Sequence, residues 1–532
     1  MKKPSYTSKR TVVYAKNGMV ATAQPLAAQA GLDILKQGGN AIDAAIAVAA
    51  CLTVVEPTSN GIGGDNFALI WYQNELFGLN SSGHAPSSLS IDNLKQKGLK
   101  DMPRFGFAPV TVPGAVAGWA ELSKRFGKLP FNDVLKPAIA YAKSGFAVSP
   151  TVAYYWQRAA DIYKKALAGD MFNHWFETFT HNGFAPNEGD IWTLPDHAKT
   201  LELIASTHGK AFYEGVIADQ IEAFSIKHDG FIRKSDLSAF KPTWVTPIFT
   251  TYRGHDIWEL PPNGQGIVTL IGLNIIKELN IGKKESLDTY HKQIEAVKLA
   301  FSDGLTYIGD EASMTVDPKD LLSKRYAKTR ASQIAKLAQS FSAGDPTEKG
   351  TVYLATADKD GNMVSLIQSN YMGFGSGLVV PNTGIALHNR GHNFSMDPSS
   401  PNALGPNKKP FHTIIPGFIT KDQHAIGPFG VMGGFMQPQG HLQVIMNMLD
   451  FQLNPQEALD APRFQWMHDK KIIVEPDLSK RIIKGLIKKG HDIVIESELG
   501  QFGRGQIILR NPKTGVYCGG TEKRADGSIA SY

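Results

Sequence analysis

The sequence predicts an α+β fold, and three observations carry the prediction. Helical patterns dominate between residues 25 and 310, short glycine-punctuated strands dominate after residue 350, and "SFSAGDPTEKG" between them has lost all apolar periodicity. With 532 residues, 42% apolar and 20% charged, the chain has an ordinary globular composition and ample length for a large core.

In "ATAQPLAAQAGLDILKQGGNAIDAAIAVAACLTVVEPTSNGIGGDNFALIWY" the pattern gives a helix from Pro25 to Gln37 and a second from Ala41 to Val54. A Gly-rich turn and a strand from Phe67 to Tyr72 follow. The second helix is apolar nearly all round and belongs between layers. Gly61, Gly63 and Gly64 lack the spacing and the Lys-Ser/Thr pair of a phosphate loop, so close backbone packing is the expectation. A glycine turn and two helices cover 111–149, and residues 150–240 read as mainly helical around Trp, Tyr and Phe anchors. The stretch 250–266 reads as one strand entering a Pro/Gly turn. Residues 285–310 form an amphipathic helix with Ile294, Val297, Leu299 and Ala300 inward. Two more helices are expected near 438–461 and 478–489.

Composition narrows the function classes. A net charge of +6 without a dense basic run gives no footprint for nucleic acid. Cys51, in an apolar run, and Cys518 make neither a disulfide framework nor a zinc site. The basic N-terminus has no apolar segment behind it, and no run is long enough to span a bilayer, so a cytoplasmic protein is expected. His388 and His392 are four apart, but Gly391 between them and the missing carboxylate speak against a metal pair.

The chemistry concentrates in "TVYLATADKDGNMVSLIQS". Lys359-Asp360-Gly361 suits a type I turn closed by a left-handed glycine. That turn pairs Asp358 with Asn362 and, counting back, sets Thr351 opposite Ser369 on one face. A hydroxyl needs a base before it attacks an amide, and no histidine lies in the hairpin. Cutting the chain between Gly350 and Thr351 would supply one, an α-amine with a pKa of about 7.7–8.0 on the nucleophile's own residue. A Gly-Thr pair that merely begins a strand is the plain alternative.

At these residues the chain resembles the γ-glutamyltranspeptidase family, the glutathione hydrolase proenzymes among N-terminal-nucleophile hydrolases. The likeness runs through "GMVATAQPLAAQAGLDILKQGGNAIDAAIAVA", "GIGGDNF", "TVPGAVAGW", "LPPNGQG", "DKDGNMVSLIQS", "FGSGLVVPNTGIALHNRGHNFS", "GPNKKPFHTIIPG", "GGFMQPQGHLQVIMNMLDF" and "ALDAPRF". The resemblance implies a four-layer αββα sandwich with an additional helical region in the large subunit. It implies self-cleavage into a large subunit, 1–350, and a small one, 351–532, that form one catalytic unit. Thr351 falls on the family's nucleophile, Ser369 on the residue that hydrogen-bonds it, and Gly433 and Gly434 on the oxyanion-hole pair. No metal or organic cofactor is implied. The expected partners are a small amide substrate and the two subunits themselves, with neither nucleic acid nor membrane; a homodimer of such heterodimers stays open.

The substrate clamp departs from the family. Ser82, in "NSSGHAP", stands where γ-glutamyl enzymes have an arginine for the α-carboxylate. Asn393 replaces an aspartate, Tyr371 an asparagine, and His412 and Thr413 a pair of serines. Arg390 stands at a glutamine's place and could bind a carboxylate from another side, with His84, His412 and Tyr371 completing the pocket; the alternatives are a structural ion pair for Arg390 and satisfied structural roles for His84 and His412. The resemblance implies cleavage of the γ-glutamyl amide of glutathione-like compounds, by hydrolysis or transfer. The departures admit another acid-bearing amide, such as oxamate, a glutaryl amide or a cephalosporin side chain, and, third, a non-catalytic relative.

Overall fold

The computed structural model describes residues 10–340 and 350–532. Two seven-stranded sheets organise the chain, and within each every pairing is antiparallel. The first runs, in spatial order, Ser528–Ser531, Met19–Thr22, Gly350–Ala357, Met363–Tyr371, Asp65–Tyr72, Glu75–Ser81 and Thr243–Val245. The second runs Val13–Ala15, Tyr517–Thr521, Arg504–Arg510, His424–Met432, Gly417–Lys421, His255–Glu259 and Ile248–Tyr252.

Side-chain alternation turns these sheets into layers. Along Gly350–Ala357, Val352 and Leu354 join the core shared with the helices Pro25–Lys36 and Ala41–Val55, while Tyr353, Ala355 and Ala357 face the second sheet. Phe418, Met432, Ile508 and Tyr517 meet them from that side. On the far face of the second sheet, Ile419, Phe429, Val431 and Ile507 pack on the helices Gly266–Lys277, Leu287–Tyr307 and Met436–Leu449. The result is the αββα sandwich. Six α-helices between Pro150 and Ala239 add a helical lobe anchored on Trp156, Trp175, Phe179 and Phe374.

Most expected elements are present. Every residue of Ala41–Val55 is buried, Cys51 included, as an all-apolar helix between layers requires. Three expectations need adjustment. The strand expected from Phe67 begins at Asp65, because its first two residues, Asp65 and Asn66, are polar yet fully buried. The stretch read as a single strand over 250–266 is a hairpin, Ile248–Tyr252 and His255–Glu259, since Arg253 and Gly254 both take positive φ at its tip. The helix expected over 438–461 is two, Met436–Leu449 and Pro455–Asp460, the second started by a capping box from Asn454. Residues 341–349 of the expected boundary lie outside the described residues. No described helix is long and apolar enough to cross a membrane.

Candidate active site

The hairpin turn sets the site's register. Asp358 N–H donates to Asn362 O at 3.1 Å, Gly361 takes φ +87°, and Asp358 Oδ1 accepts from the backbone of Asp360 and Asn362. Asp358 Oδ2 also accepts from Ala41 N–H, pinning the hairpin to the start of the buried helix. From the turn the ladder runs Ala357↔Met363 to Val352↔Gln368, then a bulge shifts Gly350 opposite Tyr371. Thr351, at this bulge, brings its Oγ1 to 3.0 Å from Ser369 Oγ, both buried. Ser369 Oγ also accepts from Tyr371 N–H at 2.8 Å. Tyr371 is held at φ +72°, a costly conformation for a bulky residue that persists only where the surroundings enforce it.

Asp65 lies directly across the ladder from Ser369, and the sequence reading assigned it no part. It is fully buried, with His412 Nε2 donating to Oδ2 at 2.9 Å, and with His388 Nδ1 3.4 Å and Arg390 Nε 3.8 Å from the same oxygen in ion-pair contact. Burial alone would raise its pKa, but His388 and His412 outweigh it and hold the carboxyl below the usual range. Burial, and then Arg390, push His412 down to about 3, so its ring is neutral. The readable signal for Asp65 was an acid two residues ahead of the apolar run "FALIWY".

Arg390 is wholly buried. Its Nη1 donates to Thr413 Oγ1 at 2.6 Å and its guanidinium carbon lies 4.5 Å from the centre of the Tyr371 ring. Its Nη2 makes no hydrogen bond. Tyr371 O–H donates to Asn393 Oδ1, whose amide donates to Phe411 O. Arg390 and His412 thus meet at Asp65, and Thr413, Tyr371 and Asn393 follow through Arg390. Two of the sequence's candidates direct their side chains to other partners. Ser82 turns its hydroxyl to Asn80 Oδ1 at 2.7 Å, and His84 bonds the adjacent Ala85 carbonyl beside Phe240. His388 and His392 also part company, the second bonding Met102 O.

The second sheet supplies the remaining piece. The strand His424–Met432 ends at Gly433 and Gly434, with φ +139° and +59°, angles that favour glycine. Their carbonyls accept from Met436 and Gln437 N–H in the first turn of the helix Met436–Leu449. That arrangement directs carbonyls into the helix and leaves the glycine N–H groups at its mouth. Gln265, also unremarked in the sequence, bridges the halves: its Nε2 donates to Thr413 O at 2.6 Å and Gly434 O at 2.9 Å. Behind them, Gly61, Gly63 and Gly64 are required by close approach, as a Cβ on Gly64 would sit 2.6 Å from Ser369 O.

Two facing antiparallel sheets between helical layers make this an N-terminal-nucleophile hydrolase fold. The chain belongs to the gamma-glutamyltranspeptidase family, whose model matches residues 27–532. It is 35% identical to the glutathione hydrolase-like YwrD proenzyme of Bacillus subtilis, across 96% of this chain and 97% of that one. It is 32% identical to the oxamate amidohydrolase proenzyme of Klebsiella pneumoniae, across 97% and 98%. The crystal structure of cephalosporin acylase from Bacillus halodurans superposes with a TM-score of 0.97 at 56% identity, over 100% of this chain and 99% of that one. The family is thus one of amidohydrolases and transpeptidases.

Proposed function

We propose that this chain is an autoprocessed amidohydrolase with Thr351 as its nucleophile. The observation that carries the reading is the 3.0 Å contact between Thr351 Oγ1 and Ser369 Oγ at the head of the hairpin. In maturation, Thr351 Oγ1 bonds to the Gly350 carbonyl carbon, the C–N bond to Thr351 breaks, and water hydrolyses the ester. The product is a large subunit, 1–350, and a small one, 351–532. They stay together because residues 352–357 of the small subunit lie in one sheet between Met19–Thr22 of the large subunit and Met363–Tyr371.

In turnover the freed α-amine accepts the Oγ1 proton as the oxygen adds to the substrate carbonyl. Ser369 orients Oγ1, and the N–H groups of Gly433 and Gly434 receive the oxyanion. The amide C–N bond breaks as the proton passes to the leaving amine. Water, giving its proton to the α-amine, then hydrolyses the acyl-Thr351 ester, or a second amine takes the acyl group.

For the acyl group we favour a small acid-bearing chain other than γ-glutamyl. Arg390 is the cation at hand, with Thr413, His412, Tyr371 and Asn393 as walls, and Ser82 offers no charge where γ-glutamyl enzymes place an arginine. The likeness to proteins named cephalosporin acylase and oxamate amidohydrolase supports this class. The likeness to a glutathione hydrolase-like proenzyme favours the second reading, γ-glutamyl amides.

Intact-mass spectrometry tests the first step. Division of 57.9 kDa by residue share gives fragments of about 38 and 20 kDa, the smaller starting at Thr351, and T351A stays whole. A wild-type chain that remains uncut sinks the proposal. Turnover of γ-glutamyl, glutaryl and oxamate amides by the mature enzyme then decides the acyl class.

A further inference from the structure

The strand that leads to Gly433 and Gly434 loses one neighbour before it reaches them. His424–Met432 pairs with Gly417–Lys421 only as far as the rung between Phe429 and Gly417. Val431 lies beyond that rung, two residues before Gly433, and its N–H donates instead to His441 Nε2 at 3.1 Å. A side chain thus stands in for a strand. His441 belongs to the helix Met436–Leu449, which starts directly after the glycine turn. Gly440 lets that helix close on the strand, as a Cβ there would sit 2.7 Å from Val431 Cγ1. One turn earlier on the same helix face, Gln437 Oε1 accepts from Ile415 N–H at 3.0 Å, two residues past Thr413. The helix therefore holds both borders of the centre by their backbones.

A neutral imidazole accepts through one nitrogen only, and Glu259 decides which. It ends the strand His255–Glu259, and its Oε1 lies 2.7 Å from His441 Nδ1, both side chains being fully buried. The backbone N–H of Val431 can only donate, so Nε2 is the accepting nitrogen and Nδ1–H donates to Glu259. The acid has no second hydrogen bond to justify its burial: Oε2 makes none. Gly266 packs directly over it, where a Cβ would sit 2.7 Å from Glu259 Cβ. Two apolar side chains would cost less to bury at these positions. What they could not do is accept from Val431.

We infer that His441, held in one tautomer by Glu259, is a positioning residue for the reaction: it fixes Val431 and thereby aims the N–H groups of Gly433 and Gly434. The effect on rate rests on the amidohydrolase reading, in which those groups receive the oxyanion. The fixing of the turn stands without it. Neither His441 nor Glu259 touches the reacting atoms; both act through the backbone of the strand.

The test joins turnover to hydrogen exchange. In mature enzyme, H441L is expected to lower kcat about ten- to a hundredfold with KM held, less than the outright loss of an oxyanion donor. H441Q, whose amide oxygen can still accept, recovers part of the rate, and E259Q, which keeps an acceptor for Nδ1–H, retains most of it. The double variant E259L/H441L carries no buried acid, so it should melt close to wild type and yet be as slow as H441L; it also serves where H441L alone fails to fold. A merely structural pair gives the reverse, lower stability with full kcat in the folded protein, and that result overturns the assignment. If wild type turns over no amide, the amidohydrolase reading fails by itself, and amide exchange decides the positioning role. Residues 431–434 should then exchange about tenfold or more faster in the double variant than in wild type, with the helix Leu287–Tyr307 unchanged. Equal protection at 431–434 overturns it.

Discussion

Asp65 and Ser369 face each other across one rung of the ladder between Asp65–Tyr72 and Met363–Tyr371. One rung therefore carries the hydroxyl that touches Thr351 and the carboxylate that neutralises Arg390. The register that places the reactive hydroxyls also places the charge of the pocket, and neither can shift alone.

Asp65 is the stability keystone of that pocket. D65N keeps the side chain's size but leaves the Arg390 charge buried without its counter-ion, and is expected to cost about 3–5 kcal/mol in denaturant unfolding. Adding R390Q to D65N should recover part of the loss, because the stranded charge goes with it. Strict additivity of the two substitutions would show that the pair is not coupled.

Ser369 acts through geometry. S369A removes the atom 3.0 Å from Thr351 Oγ1 and should slow both chain cleavage and turnover about a hundredfold, the usual cost of a misaimed reactive group. KM should hold while kcat falls, and S369T should recover most of the rate. Equal maturation half-times for wild type and S369A on denaturing gels would contradict this.

The oxyanion turn is sensitive at glycine. G433A adds a Cβ to a residue at φ +139° that already approaches Gly503, displacing an N–H donor. The expected loss is about 10²–10³ in kcat. Q265L, which removes the donor shared by Thr413 O and Gly434 O, should cost about 1–3 kcal/mol of stability and lower kcat as well. Steady-state kinetics on the matured proteins separates these effects from KM.

Acid should destabilise the fold. Burial lowers His197 to about 4 and His412, His441 and His491 to about 3. Each is neutral when folded but takes up a proton below about 6.5 when unfolded, so its contribution is full above that pH and is lost progressively toward 3. Two carboxyls act oppositely. Burial raises Glu56 to about 7 and lifts Glu259 well above its ordinary value, so their contribution grows on acidification and is complete near 4.5. The melting temperature should therefore fall below about pH 6.5 and most steeply below about 4.5. Scanning calorimetry from pH 7 to 3.5 checks it, and a flat profile would refute the neutral-histidine assignment.

The sequence by itself determined what depends on near neighbours. Asp358, Gly361 and Asn362 fix a turn, the turn fixes a register, and the register brings Thr351 to Ser369, because pairing in a hairpin propagates residue by residue from its tip. The buried helix Ala41–Val55 was legible for a similar reason, since an all-apolar stretch has nowhere else to go. Tertiary structure alone decided the pocket's charge. Asp65 meets Arg390, His388 and His412 across different segments, and Gln265 ties Thr413 to Gly434 from the start of the helix Gly266–Lys277. Local pattern carries no trace of such partners, because electrostatic and hydrogen-bond pairing acts through space and is fixed only when distant strands take their places. The same holds for Ser82 and His84: their positions in the chain suggested a pocket, and the hydrogen bonds to Asn80 and Ala85 that their side chains make are visible only in three dimensions.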